Sequence, residues 1–411
     1  MDVNTENQKI SIKEAVELAT QRNLEIQASR LDLEIGKNDI KAATRFQNPS
    51  IGLFHNLGKA GRGNPQEIGV SQLFEINKRG ARKALAKSNF KIKEEYVKYL
   101  EFDLRMDVRE AYTNLLAKKS VLSTMKQQKD LLQRLHKRAQ QKLKEKTATK
   151  IEVLQAQILL NQIITEVQAA EYNVKTALYD FNKVINVSAG FYDTEEECFT
   201  NDYEPLRIPD VFEKMPEFED ISDRAKKDRF DIKIAKETIE NAKKELKLIL
   251  KQRIPDFELE GGYMYQTNHQ SEGLGYKNGA YIEASLVNIP IVYRHTPEIE
   301  NAKIKVEQAK LNYVSVENKA LNDLKKAYEK FLTAQLALQN YHKQLLKNSE
   351  ELIEASRKSY LNEQTDLTTL VTMEESYRMI QVAYTYALAD YYNSWNEFIR
   401  EVNNEEFTLE N

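Results

Sequence analysis

The sequence predicts a mainly α-helical chain with a small β part, organised as a tandem duplication. Three observations carry that expectation. Glycine and proline are few, 13 and 8 in 411 residues, so long uninterrupted elements are favoured. Two stretches, Lys78 to Lys144 and Tyr293 to Leu361, each run for roughly 70 residues in helix-forming composition. Two gapless self-alignments relate the halves. Asn23 to Phe54 (NLEIQASRLDLEIGKNDIKAATRFQNPSIGLF) lies over Arg229 to Glu260 (RFDIKIAKETIENAKKELKLILKQRIPDFELE), with Pro49 on Pro255. Lys142 to Ala156 (KLKEKTATKIEVLQA) lies over Ser359 to Met373 (SYLNEQTDLTTLVTM).

The first copy, residues 1–205, reads as a helix at about 12–46, a hairpin at about 49–77, a long helix at about 78–145, a helix at about 151–186 and an irregular segment. The second, residues 206–411, repeats it: a helix at about 217–253, a hairpin at about 255–292, a long helix at about 293–361, a helix at about 367–403 and a polar tail. Each opening helix is charged and amphipathic and runs into a proline and then a strand, as the conformational restraint before proline requires. At about 1.5 Å per residue the long helices reach roughly 100 Å, more than a globular core needs, and two of the shorter ones end to end match one long one. That arithmetic points to a cylinder wall. In the second long helix Leu324, Phe331, Leu338, Leu345 and Leu352 recur every seven residues, which predicts one continuous coiled-coil seam with Ala327, Ala334 and Ala337 beside it. Val108, Leu115 and Leu122 keep the same spacing in the first. Helices alone equally allow a soluble coiled-coil scaffold or tether with capping β-hairpins.

The hairpins separate the two readings. In PDFELEGGYMYQ, Phe257, Leu259, Tyr263 and Tyr265 alternate with Glu258, Glu260 and Gln266. Ile68, Val70, Phe74 and Ile76 alternate with Glu67, Gly69, Ser71 and Glu75, interrupted at Gln72 and Leu73. Ala280, Ile282, Ala284 and Leu286 alternate with Tyr281, Glu283, Ser285 and Val287; the first strand, Ser50 to Asn56, is weakly patterned. A period of two gives each strand an apolar and a polar face, and about 9 to 12 residues is the length a transmembrane β-strand needs. Four strands cannot close a barrel, and an open edge in lipid leaves backbone groups unsatisfied, so further copies of the chain are expected to complete it. Glu67, Glu75, Glu258, Glu260 and Glu283 are then candidate pore-lining residues, and the loops Gly58 to Gln66 and Thr267 to Asn278, rich in Gly, Asn, Lys and Ser, suit emergence into water.

Composition excludes several function classes. Charged residues are 30% of the chain with a net charge of −3, so no basic excess points to nucleic acid. Hydrophobic residues are 41%, and no window approaches the run of about 18 to 20 that a spanning helix needs. The opening MDVNTENQKISIKEA carries no basic and apolar leader, which is read as a cytosolic chain or a mature form. A single cysteine, Cys198, excludes an internal disulfide framework. His55, His136, His269, His295 and His342 fall in no HxxxH or HExxH spacing; His342 reads as a packed seam residue and His269, near Glu272, as part of a solvated loop. With no glycine-rich phosphate loop and no nucleophile elbow, the expectation is a non-enzymatic chain with no cofactor and no metal site.

In order and spacing, AVELATQRNLEIQAS near the start, NPSIGLF, VSQLFEINKRGARKALA and ASLVNIPIVYRHTPEIENAKIKVEQA together resemble the TolC-like outer-membrane efflux family, in particular its heavy-metal and cation-efflux branch, from Ile10 to about Val402. The resemblance implies a homotrimer: long antiparallel helices forming a trimeric α-barrel in the periplasm, and four strands per chain contributing to a 12-stranded transmembrane β-barrel. It implies a passive exit duct in the outer membrane, docked to a periplasmic adaptor protein and an inner-membrane pump, with Asn186 to Glu217 in an equatorial belt. It also assigns Lys146, Thr147, Tyr360, Glu363 and Asp366 to the periplasmic tip as candidate adaptor contacts, and Glu152, Thr369 and Thr372 to the entrance constriction. Two departures stand out. Lys146 and Glu363 occupy places where the family often has glycine, with Leu143 and Tyr360 at the preceding aromatic position, and Thr369 and Thr372 stand where some members carry aspartates.

Overall fold

One plan is laid down twice. In the first copy β1 (Gln8–Ile10), α1 (Ile12–Arg22) and α2 (Leu24–Ala43) precede β2 (Ser50–His55) and β3 (Pro65–Phe74), followed by α3 (Lys78–Lys144), α4 (Lys150–Ile185) and β4 (Tyr192–Thr194). In the second, α5 (Phe218–Asp228) and α6 (Phe230–Lys251) precede β5 (Asp256–Gln266) and β6 (Gly279–Val287). Then come α7 (Thr296–Asn340), a π-helical turn (Tyr341–Leu345), α8 (Leu346–Leu361) and α9 (Leu367–Val402). The computed structural model describes residues 8–55, 65–147, 149–199, 210–266, 278–362 and 364–405.

The opening helices, expected to be single, are each broken once, and at the aligned residue. Asn23 turns out of the helix into extended backbone (φ −63°, ψ 118°); its N–H still bonds Ala19, while its side chain accepts from the Ile26 N–H at 3.0 Å. Arg229 does the same (φ −58°, ψ 129°), its N–H bonded to Ala225 and its guanidinium held by the carbonyl and carboxylate of Glu401. Asparagine breaks the helix because its side chain replaces a backbone partner. Arginine needs a tertiary anchor, which no local pattern announces.

The paired 36-residue helices α4 and α9 share their boundaries as well. Thr149 and Asp366 cap the N-termini, accepting from Glu152 N–H and Thr369 N–H, and Asn186 (φ 62°) and Asn403 (φ 64°) end the helices in the left-handed conformation that asparagine tolerates. The duplication thus extends to the caps.

Two compact units divide the chain, each drawing on both copies: residues 1–28, 98–230 and 317–411 form one, residues 29–97 and 231–316 the other. In the first, α7 and α8 pack on α9, α9 on α3 and α3 on α4, and α9 also reaches α4 directly. Phe331 of α7 meets Tyr391 at 5.4 Å and Trp395 at 4.9 Å on α9. Asn396 and Arg400 of α9 reach the Met106 carbonyl (2.8 Å) and Asp107 (2.5 Å) of α3, and Tyr112 of α3 packs edge-on against Phe181 of α4 at 5.5 Å. A short parallel pair, β1 with β4, is fastened by Asn182, whose amide brackets Tyr192 by accepting from its N–H and donating to its C=O, both at 2.8 Å.

The predicted seam of the second long helix holds only as far as the π turn. Leu324, Phe331 and Leu338 are buried, but Leu345 and Leu352 are exposed (41% and 54%), and Leu346, Ser349, Ile353 and Tyr360 turn inward instead. A π turn carries one extra residue, and one residue is about 100° of helix, so the heptad frame slips by one position below it. Above it, Val108 and Leu115 of α3 are fully buried and Leu122 half-buried.

In the second unit β2, β3, β5 and β6 form a four-stranded antiparallel sheet in that order, joining the two sequence copies through the β3–β5 pair. Ala242, Val306 and Ala309, with Ile239 and Leu246, make a small helical core there.

Candidate functional site

Strand register decides what each face of the sheet carries. Ile51 opposes Val70 and Leu53 opposes Ile68; Ile68 opposes Tyr263, Gln72 opposes Leu259, and Phe257 opposes Leu286. These form one face, apolar but for Gln72 and open to the surroundings, with Leu53 at 78% and Ile282 at 82% exposure. The other face holds Glu67, Ser71, Glu258, Glu260, Tyr281, Glu283 and Ser285, with Phe54, Leu73, Met264 and Val287 among them; Glu260 sits opposite both Ser71 and Glu283. An apolar face of this extent on an antiparallel sheet has no reason to meet water. Within the sheet β2 and β6 each pair on one side only, leaving two edges for further strands.

Four of the five predicted pore carboxylates, Glu67, Glu258, Glu260 and Glu283, are therefore brought onto one face. Glu75 lies just past the end of β3, where Arg82 takes its carboxylate at 2.5 Å, so it is neutralised locally. Beside it lies a group that sequence reading missed. Lys78, the first residue of α3, and Asp256, the first of β5, form a 2.7 Å ion pair with both side chains at most 10% exposed, and Asn288 donates to the same carboxylate at 3.1 Å. The residues are 178 apart, so nothing local in the sequence signals the pair. It locks the start of a strand from one copy to the start of the long helix of the other.

At the two helix-to-helix turns the expected residues take different roles. Lys146 adopts φ 63°, the left-handed conformation that explains the glycine preference at this place. The turn is closed by the Thr147 N–H and hydroxyl, which both donate to the Lys142 carbonyl at 2.9 and 3.1 Å. Lys146 and Thr147 are exposed. Glu363 lies outside the described residues. Tyr360, expected at the tip surface, is instead buried (6%) among Ala139, Ala156, Leu367 and Leu370, with Arg138 and Lys142 over its ring at 5.8 and 5.5 Å. An aromatic ring there packs the turns together. Asp366 is exposed and caps α9; the hydrogen bonds from Thr369 hold its carboxyl below the usual aspartate value. Glu152 closes a capping box with Thr149. Thr369 and Thr372 are exposed one turn apart on α9.

Above these turns Arg357 of α8 grips Glu374 of α9 through two hydrogen bonds, 2.5 and 2.9 Å, and Arg378 of α9 reaches Glu166 of α4 at 2.7 Å. Glu374 is fully buried, and a carboxylate there stands only because the arginine satisfies it. Apolar side chains also remain uncovered on the outer edges of this layer: Ile151, Leu154 and Ile158 on α4 and Leu352 on α8.

The sequence profile described as outer membrane efflux protein matches residues 15–187 and 221–362, more than half of the chain and in two segments that follow the duplication. The chain belongs to the outer membrane efflux protein family. No curated protein sequence matches it. Solved structures agree on the fold. The CmeC outer membrane channel of Campylobacter jejuni superposes with a TM-score of 0.76 at 15% identity, covering 97% of this chain and 87% of that one. CusC, described through conformational changes that accompany folding and transmembrane channel formation, gives 0.76 at 13% identity, covering 96% and 93%. The open-state MtrE outer membrane channel of Neisseria gonorrhoeae gives 0.71 at 14%, covering 96% and 89%. The chain is an outer-membrane efflux channel with a periplasmic extension, non-enzymatic, and family membership implies a trimer within an efflux system. Among the described residues no helix is long and apolar enough to cross a membrane. The soluble scaffold reading is set aside.

Proposed function

We propose that three copies of this chain close one barrel and form a passive exit duct whose passage favours cations, in keeping with the heavy-metal and cation-efflux branch that its local motifs resemble. The observation that supports the preference is the gathering of Glu67, Glu258, Glu260 and Glu283 on the polar face of the sheet, which threefold symmetry repeats around the bore. Closure is supported by the two unpaired strand edges and by the helix layer, whose outer members, α4 and α8, carry the uncovered Ile151, Ile158 and Leu352. Ile158 lies eight residues past the start of α4 and Leu352 nine before the end of α8, so edge-to-edge packing of neighbouring copies sets them level. The adaptor would engage the exposed tip through Lys146, Thr147 and Asp366, while Tyr360 holds the turns from within. Glu152, Thr369 and Thr372 would border the entrance.

The test is the double charge reversal Glu258→Lys with Glu260→Lys in planar bilayers under a salt gradient. The reversal potential is expected to move toward anion preference. An unchanged cation-to-anion permeability ratio would overturn the cation reading while leaving the channel itself intact.

A further inference from the structure

One row of the sheet is unlike the rest. Register places Gly52, Gly69, Gly262 and Tyr281 side by side across β2, β3, β5 and β6, on the face that carries the carboxylates. Side chains on a strand ordinarily stand away from the sheet. Tyr281 lies down. A Cβ added to Gly262 would come within 2.8 Å of Tyr281 Cε1, and one added to Gly69, a strand further, within 2.6 Å of the Tyr281 hydroxyl and 2.5 Å of Glu260 Oε1. The ring therefore crosses β5 and reaches β3 on bare glycine backbone. Its hydroxyl donates to Glu260 Oε1 at 2.7 Å, which fixes the far end of the ring and draws that carboxylate against the wall.

We propose that Tyr281 sets the bore of the barrel: seated on the glycine row, its ring is part of the wall, and lifted from that seat it becomes an obstruction repeated three times around the passage. The proposal rests on the polar face lining the passage, as argued above. The row has an asymmetry that makes it testable. A Cβ at Gly262 would meet backbone, the Ile68 carbonyl at 2.3 Å and Gly69 Cα at 2.8 Å, so a substitution there must part the strands. A Cβ at Gly69 meets the far ends of two flexible side chains, which can swing away while the strand pairing stays. Gly69→Ala is thus the variant that unseats the ring and keeps the sheet.

The experiment sizes the bore from the outer side with polyethylene glycols of graded mass added to that chamber of a planar bilayer, reading the largest polymer that still lowers the current. Wild type, G69A, Y281A and G69A/Y281A are compared. G69A is expected to shift the cutoff to smaller polymers, Y281A to leave it unchanged or raise it, and the double variant to return to the Y281A value. A G69A cutoff equal to wild type, or one that stays low without the tyrosine, overturns the proposal. In a Cys198→Ser background, Y281C with a membrane-impermeant thiol reagent locates any failure. A current untouched by the reagent removes the luminal reading together with the proposal. A modified current combined with a tyrosine-independent G69A effect overturns the glycine seat and leaves the luminal reading standing.

Discussion

Arg357 and Glu374 form a pair whose two halves should not be equally dispensable. Glu374 is fully buried, whereas the Arg357 side chain keeps 43% of its surface in contact with the surroundings. Removing the arginine strands a carboxylate that water cannot reach, and breaking a buried pair in that way costs about 3–5 kcal/mol. Removing the glutamate leaves an arginine that can turn outward and hydrate, so the loss reduces to the charge-assisted hydrogen bonds, about 1–2 kcal/mol after allowance for exposure. Replacing both by apolar residues of similar volume, R357M with E374L, should return stability to within about 1 kcal/mol of the parent. Hydrogen exchange on peptides covering Leu346–Leu361 and Leu367–Val402, in detergent-solubilised protein, converts protection into local opening free energies. The expected order of damage is R357A, then E374A, then the double apolar variant. If E374A opens these helices as much as R357A does, burial of the carboxylate is not what makes the pair matter.

Four further outcomes are expected. Lys146→Gly should stabilise the first turn by about 1 kcal/mol, because glycine occupies φ 63° without the steric cost a lysine bears, seen as slower exchange of the surrounding amides. Thr149→Ala removes the N-cap of α4 at a cost of about 1 kcal/mol, read as faster exchange in the first turn of that helix. Asn182→Ala leaves the N–H and C=O of Tyr192 unpaired in a buried place, costing about 2–4 kcal/mol and releasing β4 to limited proteolysis. Burial pushes the Glu405 carboxyl up, but the hydrogen bond and charge of Arg109, together with Arg105, outweigh it and hold the group below the ordinary glutamate value of about 4.5. A carboxyl lowered on folding contributes stability that is complete above its unfolded value and lost as the pH falls through its folded one. Glu405→Gln should therefore lower the unfolding midpoint at neutral pH and flatten its acid decline, and an acid limb identical to wild type would refute the assignment.

Most of the fold was legible because it is written in periodicity. The duplication, the order of the elements and the faces of three strands all follow from spacing, and the register puts Glu258, Glu260 and Glu283 on one face, as their alternation with apolar residues implied. What escaped is what long-range contacts decide. The break at Arg229 depends on Glu401, far along the chain, and the Lys78–Asp256 junction joins residues from different copies. Tyr360, a tip candidate by resemblance, packs instead among residues of the helices that flank both turns. The π turn defeated the heptad count for a different reason: Leu345 and Leu352 keep perfect sequence spacing, and only the backbone shows that the frame has slipped.

That slip bears on the symmetry of the assembled channel. A ring of three chains, each a duplicate, contains six repeats and could in principle approach sixfold equivalence. The π turn sits in one repeat of each pair, since α3 runs through its 67 residues unbroken while its counterpart is interrupted after Asn340. Alternate repeats around the ring therefore present different surfaces on the tip side of the turn. The equivalence inherited from the duplication is thereby reduced to the threefold axis that relates whole chains.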